Sequence, residues 1–157
     1  MSTFTHLDDA GHARMVDVTQ KQPTVRSAVA EGFVECAPHV VEALRDGSVP
    51  KGDVLAVARI AGIAGAKRTP ELLPLAHVIG VHGAAVDLEV TDLGVAIRAT
   101  VSTADRTGVE MEALTAVSVA ALNVIDMVKG LDKATSLRDV RLIAKDGGKS
   151  GPWRRDP

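Results

Sequence analysis

Two periods of hydrophobic and polar positions run along this chain. Between Thr24 and Cys36 the apolar residues Val25, Val29, Phe33 and Val34 are interleaved with Arg26, Glu31 and Glu35, which predicts a strand with Gly32 as a bulge. After Pro38 the apolar residues Val40, Val41 and Leu44 share one helical face, and Asp46-Gly47 ends that helix. Asp53 is placed to cap a helix from Val54 to Ala66, which is apolar nearly all round and is therefore read as buried, with Lys67-Arg68 at the negative end of its dipole. A further turn begins with Thr69 as cap and Pro70 as first helical residue, and ends near Pro74.

The clearest hairpin follows. Val86, Leu88 and Val90 alternate with Asp87 and Glu89, Thr91-Asp92-Leu93-Gly94 turns, and Val95, Ile97, Ala99 and Val101 alternate with Arg98 and Thr100. Thr107-Gly108-Val109-Glu110 has capping-box spacing, and Leu114, Val117, Ala121, Ile125 and Val128 then recur at steps of three and four. That long helix is expected to reach Lys129 and stop at Gly130. Val140 and Leu142 alternate with Arg141 in a last strand. Residues 1–23 read as an irregular arm closed by Pro23, and the glycine-rich stretch from Gly147 opens a mobile tail over 147–157.

The order β, α, α, β, β, α, β in a single domain, 1–157, is satisfied by two right-handed split βαβ crossings. This is an α+β, ferredoxin-like antiparallel sheet with helices on one face. The other face needs cover, and self-association is the expected source.

Composition narrows the function. The chain carries 18 Lys+Arg against 20 Asp+Glu, so it has no global attraction for nucleic acid or anionic lipid, and any anion site must be local. With two Phe, one Trp and no Tyr the core must be aliphatic, and the stacking platforms of single-strand nucleic-acid binders are missing. One cysteine, Cys36, fits a reducing compartment, and no leader or uncharged membrane span is read, so the expected location is cytoplasmic.

Several residues are able to carry chemistry. Asp126 and Lys129 lie three apart on one side of the long helix, either as a plain surface ion pair or, among apolar neighbours, as an acid and an amine of tunable proton affinity. Lys51 precedes the Val54 helix, where it is either a solvated loop lysine or a cation joining the helix N–H groups around a phosphate. Lys145 and Lys149 offer similar charge near the tail. Gly148-Lys149-Ser150 is not a P-loop, because the earlier glycine would fall at Ile143 and no helix follows. Glu110 has a structural reason as third residue of the capping box; Glu112 has none beyond the helix dipole. His77 and His82 lack metal-site spacing, and a hydrogen-bonding histidine at a pocket edge is the better reading. Arg26, taken singly, reads as packing or solvated.

Taken together, Met15-Val-Asp-Val18, Lys51-Gly-Asp-Val54, Ala58-Arg-Ile-Ala-Gly62, Ala66-Lys-Arg-Thr69, Thr107-Gly-Val-Glu-Met-Glu-Ala-Leu-Thr-Ala116 and Val140-Arg-Leu142 with Gly147-Gly-Lys-Ser-Gly151 resemble the MoaC family. The resemblance covers nearly the whole chain and is strongest over 107–121. It implies a lyase of molybdenum cofactor biosynthesis that converts 3′,8-cyclo-7,8-dihydroguanosine triphosphate into cyclic pyranopterin monophosphate and releases pyrophosphate. It also implies a homohexamer, a trimer of dimers, with interfacial sites. By the same resemblance Asp126, Lys129 and Lys51 match catalytic positions, while Leu75, Ala76, His77, Glu110, Met111, Glu112, Arg26 and Lys145 match substrate-binding ones. The sequence requires no resident cofactor, and it leaves open whether a divalent cation accompanies the triphosphate.

One departure stands out. Pro74-Leu-Ala-His-Val78 replaces the family's usual Pro-Leu-Cys-His-Pro, which removes a cysteine side chain and predicts a less rigid loop after His77. The alternative function is therefore a non-catalytic or weakly active hexameric, nucleotide-binding paralogue.

Overall fold

A computed structural model describes residues 5–157, and the first four residues of the expected arm lie outside the described part. The elements run β1 (Thr24–Glu35), α1 (Pro38–Asp46), α2 (Val54–Lys67), α3 (Thr69–Leu72), β2 (Gly83–Thr91), β3 (Gly94–Asp105), α4 (Glu110–Val128), β4 (Ser136–Asp146) and β5 (Trp153–Arg154). The strands form one sheet in the order β2-β3-β1-β4-β5, every neighbouring pair antiparallel. The first four strands are ordered as in the ferredoxin-like plan. From residue 5 to β1 the arm is irregular apart from a bridge between Leu7 and Ala13.

Alternation along β1 buries Arg26, Ala28, Ala30, Gly32 and Val34 under the helices and leaves Ser27, Val29, Glu31 and Phe33 on the opposite face. The expected bulge falls on the partner strand instead: between the Glu31–Arg141 and Phe33–Arg138 pairs two residues of β4, Asp139 and Val140, stand opposite the single Gly32, with Asp139 at a φ of 53°, and a Cβ on Gly32 would sit 2.6 Å from Val117 Cγ1. Gly94 closes the β2–β3 hairpin at φ 146°, where a Cβ would fall 1.9 Å from the Val34 carbonyl oxygen.

The core is built from valine and alanine, with Ile97 the largest fully buried side chain. Small residues let α2 and α4 approach closely: Gly62 lies against Ala116 and Ala120, and Gly65 against Val119. Helix α4 is long and apolar enough to cross a membrane by composition alone, yet half of its apolar stretch is buried against the sheet and α2.

Four further expectations are corrected. Helix α2 is not buried all round: Val54, Ala58, Gly62, Gly65 and Ala66 are inside, but Val57 is 44% and Ile60 69% exposed, because one chain covers only the face turned to α4. The Thr107 capping box does not form. Val109 is the N-cap, without a side-chain bond, and Glu110 is the first helical residue, folded back over Gly108. Thr69 is likewise inside α3, with its hydroxyl donating to the carbonyls of Gly65 and Ala66, and Arg68 precedes it as cap. The segment read as a mobile tail turns back at Gly147, whose φ of 83° puts its Cα face against the Val25 carbonyl, and adds β5 beside β4. Arg154 pairs with Asp146, and the Arg155 guanidinium stands 5.8 Å from the Trp153 ring centre.

The sheet face away from the helices stays open in one chain. A concavity of about 520 Å³ there is lined by Glu31, Phe33, Asp87, Arg98 and Arg141. Cross-strand register sets Asp87 beside Arg98, Arg98 beside Glu31, and Glu31 in an ion pair with Arg141 at 2.9 Å.

Candidate active site

Helix α4 organises the candidate residues by carrying them at its two ends. At its C-terminal end Asp126 projects from the last turn. Lys129, three residues on, donates to Asp126 Oδ1 at 2.7 Å. Lys51 arrives from the Pro50–Lys51 turn that leads into α2 and donates to Asp126 Oδ2 at 3.2 Å and to the Asp126 main-chain carbonyl at 2.9 Å. That carbonyl is among the last four of the helix and has no partner along it, so an ammonium there satisfies a free acceptor at the negative end of the dipole.

The three side chains are each about half exposed. Lys129 first, and Lys51 second, hold the Asp126 carboxyl below the usual carboxylate range. This corrects two expectations. Asp126 is not enclosed by apolar neighbours, since the helix turns it to solvent. Lys51 does not lie along the start of α2: Asp53 accepts the Ala56 N–H there, and the Lys51 ammonium reaches across to α4.

The opposite end of α4 is different in kind. Glu112, in the first turn, is 3% exposed, and burial pushes its carboxyl above the ordinary value; the nearby Glu110 carboxylate adds to the rise and His77 opposes it. Beside Glu112 lies His77, in the irregular stretch after α3, whose Nε2 donates to the Val16 carbonyl of the arm. With Arg106 and residues 15–19 of the arm, His77 lines a concavity of about 550 Å³. Leu75 and Met111, both more than a third exposed, and the half-buried Ala76 flank the same end.

Arg26 is buried here without a carboxylate. Its guanidinium donates to the carbonyls of Asp105 (3.2 Å) and Arg106 (3.3 Å), and Gly148 packs directly on it. Lys145 joins through that glycine turn, donating to the Gly147 carbonyl at 3.2 Å and to the Ser150 hydroxyl.

Glu112 and Asp126 are fourteen residues apart on one straight helix, which sets them roughly 21 Å apart. The eleven residues singled out in the sequence therefore fall into two groups in one chain: Lys51, Asp126 and Lys129 at one end, the other eight at or near the other. Lys145 does not join the first two lysines within a chain. Arg106 and the Val16 carbonyl were missed by sequence reasoning. The available signal was the adjacency of Arg106 to the Thr107 block and the position of Val16 inside Met15-Val-Asp-Val18. Among the described residues no three His, Cys, Asp or Glu side chains are grouped to hold a metal ion.

The segment after His77, expected to be looser where Val78 stands, is tied down: Gly80 donates its N–H to Asp105 Oδ2 at 3.1 Å and accepts the Thr103 hydroxyl.

A family model described as the MoaC family matches residues 15–148. Relatives named cyclic pyranopterin monophosphate synthase include one from Streptomyces coelicolor, 64% identical over 152 residues, covering 97% of this chain and 89% of the relative. One from Nocardioides is 60% identical over 155 residues (97% and 95%), and one from Geobacter sulfurreducens is 53% identical over 157 residues (98% and 98%).

Proposed function

The chain belongs to the MoaC family, and from that premise we infer that it acts as a cyclic pyranopterin monophosphate synthase in molybdenum cofactor biosynthesis. The substrate is a cyclised guanosine triphosphate, 3′,8-cyclo-7,8-dihydroguanosine triphosphate, and the reaction is of lyase type, with pyrophosphate released. The observation that carries this reading is the convergence of Lys51 and Lys129, from separate elements, on the Asp126 carboxylate.

Opening and reclosing a purine-derived ring needs proton donors and acceptors, and a departing pyrophosphate needs cations beside it. Two ammonium groups held by one ionised carboxylate supply the proton donors and the cations, and a lysine that has given up its proton is then the acceptor. Asp126 fixes where the ammonium groups stand, and Lys51 and Lys129 move protons. At the other end of α4, Glu112 offers a carboxyl that burial favours in the protonated form, able to donate a hydrogen bond to a ring nitrogen or carbonyl. Arg26 and Lys145 offer cations for the triphosphate, and any divalent ion would come with it.

These two groups are too far apart in one chain to touch one nucleotide. We therefore propose a homohexamer of three dimers in which the Asp126 end of one chain meets the Glu112 end of its neighbour. The exposed apolar residues of α2 and the open sheet face are surfaces available for such assembly. A cytoplasmic location accords with the lone, buried, unpaired Cys36.

The test supplies the purified cyclised triphosphate and assays cyclic pyranopterin and pyrophosphate. Both products should form in equal amounts. Tight binding of the triphosphate with neither product would replace the enzyme by the nucleotide-binding paralogue.

A further inference from the structure

The stretch from His77 to His82 forms no regular structure, and Val78 at its start is 86% exposed. Only Ile79 and Val81 reach the core, and each does so partly. Between them Gly80 is gripped on both sides of its main chain by side chains from the end of β3. Its N–H goes to Asp105 Oδ2 at 3.1 Å, and its carbonyl takes the hydroxyl of buried Thr103. His82 completes the grip. Its Nδ1 accepts the Ala104 N–H at 3.0 Å, which puts the proton of the neutral ring on Nε2. The ring lies so close over Gly80 that a Cβ there would stand 3.2 Å from both Cε1 and Nε2.

Asp105 does more than hold the loop. Its Oδ1 accepts the Arg106 N–H at 2.8 Å, and its own carbonyl accepts Arg26 Nε at 3.2 Å. The two main-chain donors, Arg106 first and Gly80 second, hold its carboxyl below the ordinary carboxylate value. One residue thus ties together three parts of the Glu112 end of the site: the His77 loop, Arg106 and Arg26. Few of these bonds serve the core, since the loop that they hold is mostly at the surface.

We propose that Thr103, Asp105 and His82 are positioning residues for substrate binding, a clamp on Gly80 that sets where His77, three residues earlier, presents its ring. The proposal rests on the reading of His77 as a substrate-binding residue. The other anchors of the loop are the His77 bond to the Val16 carbonyl and the partial packing of Ile79 and Val81, and a shift of His77 by about an ångström when the clamp between them is cut is of the size that costs enzymes up to about 100-fold.

The clamp is tested with Thr103→Val, which removes the hydroxyl at constant shape, and Thr103→Ser, which keeps it. Asp105→Asn, which keeps one acceptor oxygen of two, and Asp105→Ala form a second pair should the valine variant not fold. The expected result is a KM for the cyclised triphosphate raised about tenfold in Thr103→Val and Asp105→Ala, with kcat less affected. Thr103→Ser should return KM to near the wild-type value and Asp105→Asn should fall between. Nitrogen NMR of the His77 imidazole should show the Nε2 resonance shifted or broadened in the same variants and restored in Thr103→Ser. A lowered melting temperature with wild-type KM and unchanged His77 resonances in Thr103→Val and Asp105→Ala would overturn the clamp. Absence of turnover in the wild-type protein would overturn the proposed function instead, and the His77 resonances would then decide the clamp by themselves.

Discussion

The two ends of α4 carry carboxylates whose surroundings push them in opposite directions. Glu112 is shut away from water at the N-terminal end and its carboxyl is raised; Asp126 stands in solvent at the C-terminal end between two ammonium groups and its carboxyl is lowered. The pH signs follow. A carboxyl raised in the folded state gives a contribution to stability that is present in acid and is lost as pH rises through its folded value. A carboxyl lowered in the folded state contributes above the ordinary carboxylate range and loses that contribution as pH falls. One end of the helix therefore shifts its carboxyl toward the protonated form and the other toward the ionised form beside cations, and a reaction that needs both must draw on both ends. Because the helix is a rigid ruler, one chain cannot bend them together.

The largest effect is expected at Lys129. Lys129→Ala should lower turnover by about 100-fold or more, the scale of a lost proton-transfer group, measured as pyrophosphate release; near-wild-type turnover would reduce the Asp126 cluster to a surface ion pair. The division between ends is sharpened by mixing. Lys129→Ala and Glu112→Gln chains, each inactive alone, should recover about a quarter of wild-type activity when refolded together at equal amounts, since half of two-fold dimers are then mixed and each holds one intact site. No recovery would mean that both ends act within one chain.

A smaller effect tests the ruler itself. Gly62→Ala would press a methyl to 2.9 Å from the Ala116 carbonyl and 3.2 Å from Ala120 Cβ. Stability should fall by about 1–3 kcal/mol, seen as a lower melting temperature, by roughly 2–4 °C per kcal/mol. The smallest effect is a titration. Carboxyl NMR should find Glu112 above and Asp126 below the ordinary range, and Lys129→Ala should raise Asp126 more than Lys51→Ala does, because Lys129 makes the shorter bond.

Much of this was legible in the chain. Strand β1, the β2–β3 hairpin and α4 show their periods plainly because each repeats one burial pattern over many residues. Asp53 as cap of α2 was also readable, whereas the irregularity expected at Gly32 lies in β4, where Asp139 and Val140 oppose it. Misreadings cluster where a local signal met a nonlocal competitor. The Thr107 capping box has the right letters, but the chain leaving β3 is held by Arg26 and Asp105, and Val109 becomes the cap. The tail looked open because two residues of strand leave no period to detect. Helix α2 looked buried because its sequence is apolar all round, although one chain covers a single face.

By itself the sequence determined the elements, their order and the identity of the reactive side chains, since these follow from backbone preference and from periods of two and 3.6 residues. It also made Lys129 a neighbour of Asp126, three residues along one helix. Only the tertiary structure brought Lys51 to the same carboxylate from 75 positions away, buried Glu112 while exposing Asp126, and set Asp105 and Thr103 against Gly80. Contacts of that separation depend on how α2 seats on α4 and how β3 meets the loop before β2. Close packing of small side chains decides that seating, and no run of neighbouring residues encodes it.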